Sequence, residues 1–150
     1  MVNKLTVPNS LINYIHQWIS RQPRDIMTVL EQETPYEFIV NIRPFNQQAS
    51  TMEFRISKTT GKFVVSLGRG IQFDDIPPSE SSFAEICTAV LDGNVSELLW
   101  EYNGRVVKSR GVLELKTDHW HSNRTKLLLG GLGYFLRRIV KRKVRYEPYR

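Results

Sequence analysis

The chain is poor in cysteine and has no apolar run long enough to cross a membrane. Cys87 is the only cysteine among 150 residues, which excludes an intramolecular disulfide and a disulfide-stapled secreted scaffold. The longest apolar stretch, 127–140, is interrupted by Arg137 and Arg138 and is too short to span a bilayer. The first residues lack the apolar run and cleavage site of a signal peptide. We therefore expect a cytoplasmic protein.

Sequence signatures of catalysis are also absent. The chain contains no phosphate-binding P-loop, no G-x-S-x-G turn and no C-x-x-C pair. Cys87 falls in an apolar stripe, which is typical of a buried thiol and not of a nucleophile beside a base. We therefore predict no catalytic residue and no cofactor. An enzyme that uses Asp74 and Asp75 stays an alternative, because paired carboxylates can act as acid and base or bind a cation.

Two histidines, His119 and His121, flank Trp120 in a polar connection predicted over 118–123. On an extended segment both imidazoles would point to one side, which suits a metal ion if His16 or Asp118 supplied a further ligand. Two neighbouring histidines in a loop are usually unliganded, so we predict no metal site and leave metal binding as an alternative. An exposed tryptophan in such a loop can anchor a protein interface, and Trp120 is the predicted interface aromatic.

What the sequence does contain is a strong charge asymmetry. Residues 124–150 carry nine Lys or Arg and one acid, whereas residues 1–123 carry twelve basic and fourteen acidic residues. Nine minus one gives +8 for the last segment and twelve minus fourteen gives −2 for the rest, so the formal +6 arises from one segment. Such a segment indicates a surface that meets nucleic acid, a phospholipid face or an acidic protein.

Hydrophobic periodicity predicts two helices and several strands. The first helix follows a cap at Ser10 and ends before Pro23, and the second begins at a capping box of Ser82 and Glu85 and ends at Gly93. Three or four strands are predicted between them, of which the first is ambiguous. Their ranges are 24–32, 37–43, 52–57 and 63–67.

The remaining segments complete the predicted fold. An Asn103-Gly104 turn predicts a hairpin in which Trp100 pairs with Val107 and faces the core. The basic segment is predicted to form a last helix from about Asn123. The predicted order is helix, three or four strands, helix, hairpin and basic C-terminal helix, in a single α+β domain (1–150) with a mostly antiparallel sheet.

These features favour a non-catalytic cytosolic protein-binding module. An inhibitor, an immunity protein that neutralises a cognate toxin, or a chaperone-like adaptor would fit, and a cognate protein is the expected partner. The predicted acidic face for that partner consists of Glu31, Glu33, Glu37, Asp74 and Asp75. The alternative is binding of nucleic acid or an anionic membrane surface through the basic helix. The cations assigned to that helix are Arg137, Arg138, Lys141, Arg142 and Arg145.

Overall fold

A computed structural model describes residues 6–125 and 138–150. Within these ranges, one helix and five strands are followed by a second helix and four strands. Their bounds are α1 (Thr6–Ser20), β1 (Met27–Glu33), β2 (Glu37–Pro44), β3 (Met52–Ser57), β4 (Phe63–Leu67), β5 (Ile71–Phe73), α2 (Glu80–Leu91), β6 (Val95–Tyr102), β7 (Arg105–Glu114), β8 (His119–Thr125) and β9 (Val140–Arg145). In these described ranges no helix has the length and apolar character needed to cross a membrane.

The strands form two antiparallel sheets. Sheet I has the order β1-β2-β3-β4-β5, a meander in which each strand pairs with its neighbour in sequence. Sheet II has the order β8-β7-β6-β9, so β9 returns to pair with β6. Strands β8 and β9 therefore lie at opposite edges of Sheet II, although they are consecutive among the described strands.

The inner face of Sheet I is apolar because the strands β2 to β4 alternate apolar and polar residues. The Phe54 ring on this face lies 4.7 Å from the Phe83 ring of α2 and 6.0 Å from that of Phe63. From α1, Trp18 meets Phe83 edge to face at 5.4 Å. Burial of each such side chain contributes about 2 kcal/mol, so both helices are held against this face.

Sheet II packs against the β5 edge of Sheet I. Gly111 of β7 lies so close to Ile71 of β5 that a Cβ atom at Gly111 would overlap the Ile71 side chain. In β8, Ser122 Oγ donates to the carbonyl of Gln72 at 3.1 Å and accepts from its N–H at 3.1 Å. Residues of both sheets, such as Ile71 and Leu113, consequently belong to one buried hydrophobic cluster.

The predicted fold is wrong in its class, its order and its last element, because two antiparallel sheets dominate and the two helices are short. Both described ends of the predicted basic helix are strands: Arg124 lies in β8, and Lys141, Arg142 and Arg145 lie in β9. The middle of that helix, 126–137, is outside the described residues. The β-branched valines of β9 favour an extended chain, and hydrogen bonding to β6 stabilises it there.

Two further strands occupy segments that were expected to be irregular. β5 has only three residues, and β8 buries a single residue, Ser122, so neither shows apolar alternation. The two predicted helices of the first 93 residues are present, but α1 begins at Thr6, before the predicted cap at Ser10. α2 begins earlier than predicted, because the hydroxyl of Ser79 caps it by accepting the N–H of Ser82.

Candidate functional site

A β-bulge in the hairpin of Sheet II decides which way Trp100 faces. The turn at Asn103 and Gly104 has the positive φ angles, 49° and 76°, of the predicted hairpin. Beyond it the ladder skips Val107, and Trp100 pairs with Lys108. Because side chains alternate, this shift of one residue places Trp100 on the outer face of the sheet. The prediction that Trp100 faces the core is therefore wrong.

The outer face of Sheet II carries cations on both sides of Trp100. The alternation of side chains along the paired strands places two cations from β7 and three from β9 on this face. They are Lys108, Arg110, Lys141, Lys143 and Arg145. These five residues and Trp100 are called the basic face below. The Lys108 Nζ lies 4.8 Å, the Lys141 Nζ 5.5 Å and the Arg110 Cζ 5.7 Å from the centroid of the Trp100 ring.

The charges of the basic face are not neutralised by the residues that the structure describes. None of its five cations forms an ion pair there. Of the acids in the described strands of Sheet II, only Glu114 is placed on this side by alternation, at its far end. The neutral residues Ser96, Leu98 and Trp100 of β6 separate the cations of β7 from those of β9. The face therefore presents two basic rows with a neutral, partly aromatic row between them.

Comparisons with known proteins were made for the whole chain. No protein-family model, no curated protein and no solved structure matches it. Function therefore has to be inferred from the chemistry of the surface itself.

A buried carboxylate holds β6 and β9 in place behind the basic face. Glu97 is 2 % exposed and accepts the N–H groups of Arg69 at 2.8 Å and Gly70 at 3.1 Å. It also accepts the hydroxyl of Tyr146, which follows β9. Burial, and then the hydrogen bond to Glu97, raise the pKa of Tyr146 above its ordinary value. These bonds join the β4–β5 turn, β6 and the C-terminal tail.

A second set of cations continues around the edge of β9. Glu101 contacts the guanidinium groups of Arg69 and, at 3.0 Å, of Arg142. Both arginines line a groove of about 500 Å³ between β9 and the segment that precedes β3. Lys143 and Arg145 of the basic face line the same groove. Positive charge therefore extends from the outer face of Sheet II onto its β9 edge.

The basic residues predicted from the sequence fall into different environments. Lys141 and Arg145 lie on the basic face, whereas Arg142 points to the other side of β9 and pairs with Glu101. Arg138 precedes β9 and is exposed. Arg137 is outside the described residues. Their role in binding stays a prediction.

The five predicted acidic residues are not brought together. Glu31 and Glu33 lie on β1 at one edge of Sheet I, whereas Asp74 and Asp75 follow β5 at the opposite edge. Glu37 begins β2 and, by alternation, faces the side of the sheet opposite to Glu31 and Glu33. A continuous acidic face of all five is therefore not formed, although a binding role for each smaller group stays a prediction.

Trp120 lies in β8 and not in a loop. Its ring is half-buried and meets Phe73 of β5 edge to face at 5.6 Å. This contact helps to join the two sheets, and the predicted interface role of Trp120 stays untested. His119 and His121 point to one side of β8, as expected for an extended H-x-H pair. Within 6–125 and 138–150, no group of three or more His, Cys, Asp or Glu residues is suited to hold a metal ion.

Cys87 is fully buried in α2, and burial raises the pKa of its thiol. A thiol in this state reacts slowly, in keeping with a packing role. Trp100 was predicted to face the core, and Lys108 and Arg110 were not among the predicted binding residues. For the two cations a signal existed, because they alternate with Val107, Ser109 and the apolar residues that follow. For Trp100 no such signal existed, since its side depends on the bulge.

Proposed function

We propose that the protein binds single-stranded nucleic acid on the basic face. The observation that carries this proposal is the Trp100 ring with three cations within 6 Å of its centroid. Trp100 is half-buried. The part of an aromatic ring that is open to solvent can stack on any unpaired base, and each stacked base contributes about 1–3 kcal/mol. Cations around the ring neutralise the phosphates of the same strand. An aromatic ring for the bases and nearby cations for the phosphates are together the groups that bind a single strand.

The arrangement of the rows supports a single strand over a duplex. The rows on β7 and β9 are two strand spacings apart, about 10 Å. A nucleic-acid strand can lay its phosphates along one row and its bases over the neutral row that contains Trp100. In a duplex the flat faces of the bases are stacked on one another, so Trp100 would find no partner.

The protein-binding module predicted from the sequence is the second candidate. Exposed apolar side chains on Sheet I favour it, since Leu30, Tyr36 and Phe45 are 52 %, 71 % and 57 % exposed. This candidate concerns a different part of the molecule from the basic face. An inhibitor, an immunity protein and an adaptor would all need such a surface.

A salt titration tests the nucleic-acid proposal. The affinity for a fluorescent oligothymidylate is measured by anisotropy at rising NaCl concentration. Five phosphate contacts predict a slope of about −3.5 in log K against log salt, or a loss of about a hundredfold between 50 and 200 mM. Binding without salt dependence, or no binding at low salt, would contradict the proposal.

Two triple variants locate the binding. Lys141→Gln, Lys143→Gln and Arg145→Gln together should reduce the slope by about two, because three phosphate contacts are lost. The matched control removes the same charge from exposed residues elsewhere, with Arg21→Gln, Arg43→Gln and Lys62→Gln. This control should leave the slope unchanged. Equal effects of the two triple variants on the salt slope would show that binding depends on total positive charge and not on the basic face. Binding to anionic lipid vesicles without binding to the oligonucleotide would assign the face to a membrane surface.

A further inference from the structure

We propose a second binding site at the free edge of β1, where an extended basic peptide adds as a further strand of Sheet I. The site is on the other sheet from the basic face and does not depend on the nucleic-acid proposal. Three observations support it: the direction of the backbone groups of β1, a groove along this edge, and an acidic side chain, Glu31, that lines the groove.

The hydrogen bonds at the two ends of the β1–β2 ladder show which backbone groups are directed outward. The N–H of Phe45 donates to the carbonyl of Ile26 at 3.0 Å. At the other end, the N–H of Thr34 donates to the carbonyl of Glu37 at 2.9 Å. In an antiparallel ladder such pairs recur at every second residue. The even-numbered residues of β1 therefore bond to β2, and the odd-numbered residues direct N–H and C=O away from the sheet.

The outward backbone groups belong to Val29, Glu31 and Glu33. Among residues 6–125 and 138–150, nothing supplies a hydrogen-bond partner to these groups. An edge with such groups is a template for another strand. Strand addition would satisfy the backbone hydrogen-bonding groups of both the edge and the peptide. Many domains bind extended peptides in this mode.

A groove of about 540 Å³ runs beside this edge, between β1 and the C-terminal end of α1. Ile19, Met27 and Val29 provide its apolar lining, and its charged lining residues are Glu31, on β1, and Arg24, which precedes β1. The volume is in the range of sites that enclose a ligand, about 300–1,000 Å³. The groove therefore accepts side chains of a strand that pairs with β1.

The side chains of β1 indicate the composition of that strand. Glu31 and Glu33 share one face of β1, and their side chains are 36 % and 49 % exposed, but Glu33 already pairs with Lys58 at 2.7 Å. Among the described residues, the charge partner of Glu31 is His16, at 3.3 Å, and that partner is charged only when protonated. On the opposite face Leu30 is exposed. A fitting strand places Lys or Arg opposite Glu31 and apolar residues opposite Val29 and Leu30.

A short labelled peptide that places lysine opposite Glu31 and valine opposite Val29 and Leu30 is the probe for this site. Its affinity is measured by anisotropy and compared with that of the same peptide methylated on alternate backbone nitrogens. Methylation keeps the charge but removes the hydrogen bonds of strand addition, so we expect binding to weaken about tenfold. Equal affinity of the two peptides would overturn the proposal.

Substitutions at the edge provide the second readout. Val29→Pro removes an outward N–H and is compatible with an edge strand, so it should weaken binding about tenfold, whereas Val29→Ala should change it little. Glu31→Lys should weaken binding as well. The triple variant of the basic face, with Lys141→Gln, Lys143→Gln and Arg145→Gln, should leave the affinity for the peptide unchanged. Because the methylated peptide leaves the protein unaltered, its result holds even if Val29→Pro fails to fold. Loss of peptide binding in the triple variant would overturn the proposal. Self-association of the protein through β1 in the absence of peptide would overturn it as well.

Discussion

Sheets I and II share antiparallel pairing but differ in what their outer faces present to solvent. The outer face of Sheet I mixes both signs of charge, as where Arg55 lies 3.9 Å from Glu37. The outer face of Sheet II carries five cations around Trp100 and a single acid at its end among the residues described there. The charge asymmetry of the sequence thus becomes an asymmetry between two surfaces. The proposed function therefore predicts that a polyanion binds to Sheet II and not to Sheet I.

The two sheets also differ in the interactions that stabilise them. Sheet I is stabilised by apolar rings beneath two helices, whereas Sheet II is joined to it through buried polar groups such as Glu97, Ser109 and Ser122. Buried polar groups are costly when they lose a partner. Sheet II should therefore respond strongly to the removal of one carboxylate, and Sheet I should not.

Glu97→Ala should have the largest effect on stability. It leaves the N–H groups of Arg69 and Gly70 and the hydroxyl of Tyr146 without their acceptor. We expect a loss of about 4 kcal/mol in the free energy of unfolding, measured with urea. Glu53→Ala is the control, because the carboxylate lies on the outer face of Sheet I and its contact with a neighbouring arginine contributes about 0–1 kcal/mol. Similar small losses in both variants would contradict the role of Glu97.

Alkaline pH should weaken the attachment of the C-terminal tail. Burial raises the pKa of Tyr146 and Tyr149 in the folded protein, whereas unfolded tyrosine loses its proton near pH 10. Above pH 10 the unfolded chain therefore binds fewer protons than the folded one. Stability is full below that pH and should fall by up to about 1.4 kcal/mol per pH unit for each tyrosine above it.

The Tyr146→Phe variant should show about half of this alkaline slope in urea titrations between pH 9 and pH 11. The control is Tyr36→Phe, since Tyr36 is 71 % exposed and should leave the slope unchanged. If the slope of stability against pH is the same in Tyr146→Phe as in the unaltered protein, the Tyr146 hydroxyl is not buried and bonded to Glu97 in the way described.

Sheet I could be predicted almost strand by strand, because alternation in β2, β3 and β4 is a local property of the sequence. Sheet II could not. Its β9 has a sequence that suits a helix face or a strand, and the choice depends on pairing with β6, some 40 residues earlier in the chain. The position of Trp100 depends on one skipped residue, Val107. A turn such as Asn103-Gly104 predicts the start of a ladder but not a bulge within it.

The acidic and basic candidate residues show the same limit of prediction from local sequence patterns. The sequence correctly indicated that cations concentrate near the C-terminus. It did not indicate that Lys108 and Arg110 of β7 would join them across β6, since strand order is a non-local property. Nor did it separate Glu31 from Asp74, which lie at opposite edges of one sheet. Residue type can be read locally, whereas the surface that the residues form depends on topology.

One measurement tests the central claim, that the bulge places Trp100 on a basic nucleic-acid-binding face. Oligothymidylate affinity and urea stability are determined for Trp100→Ala and for Trp120→Ala. Trp100→Ala should bind about tenfold more weakly, with stability changed by less than about 1 kcal/mol. Trp120→Ala should lose stability because its ring packs on Phe73, and its affinity should be unchanged. A Trp100→Ala variant that loses about 3–5 kcal/mol of stability, as a core tryptophan would, and still binds normally would contradict the account.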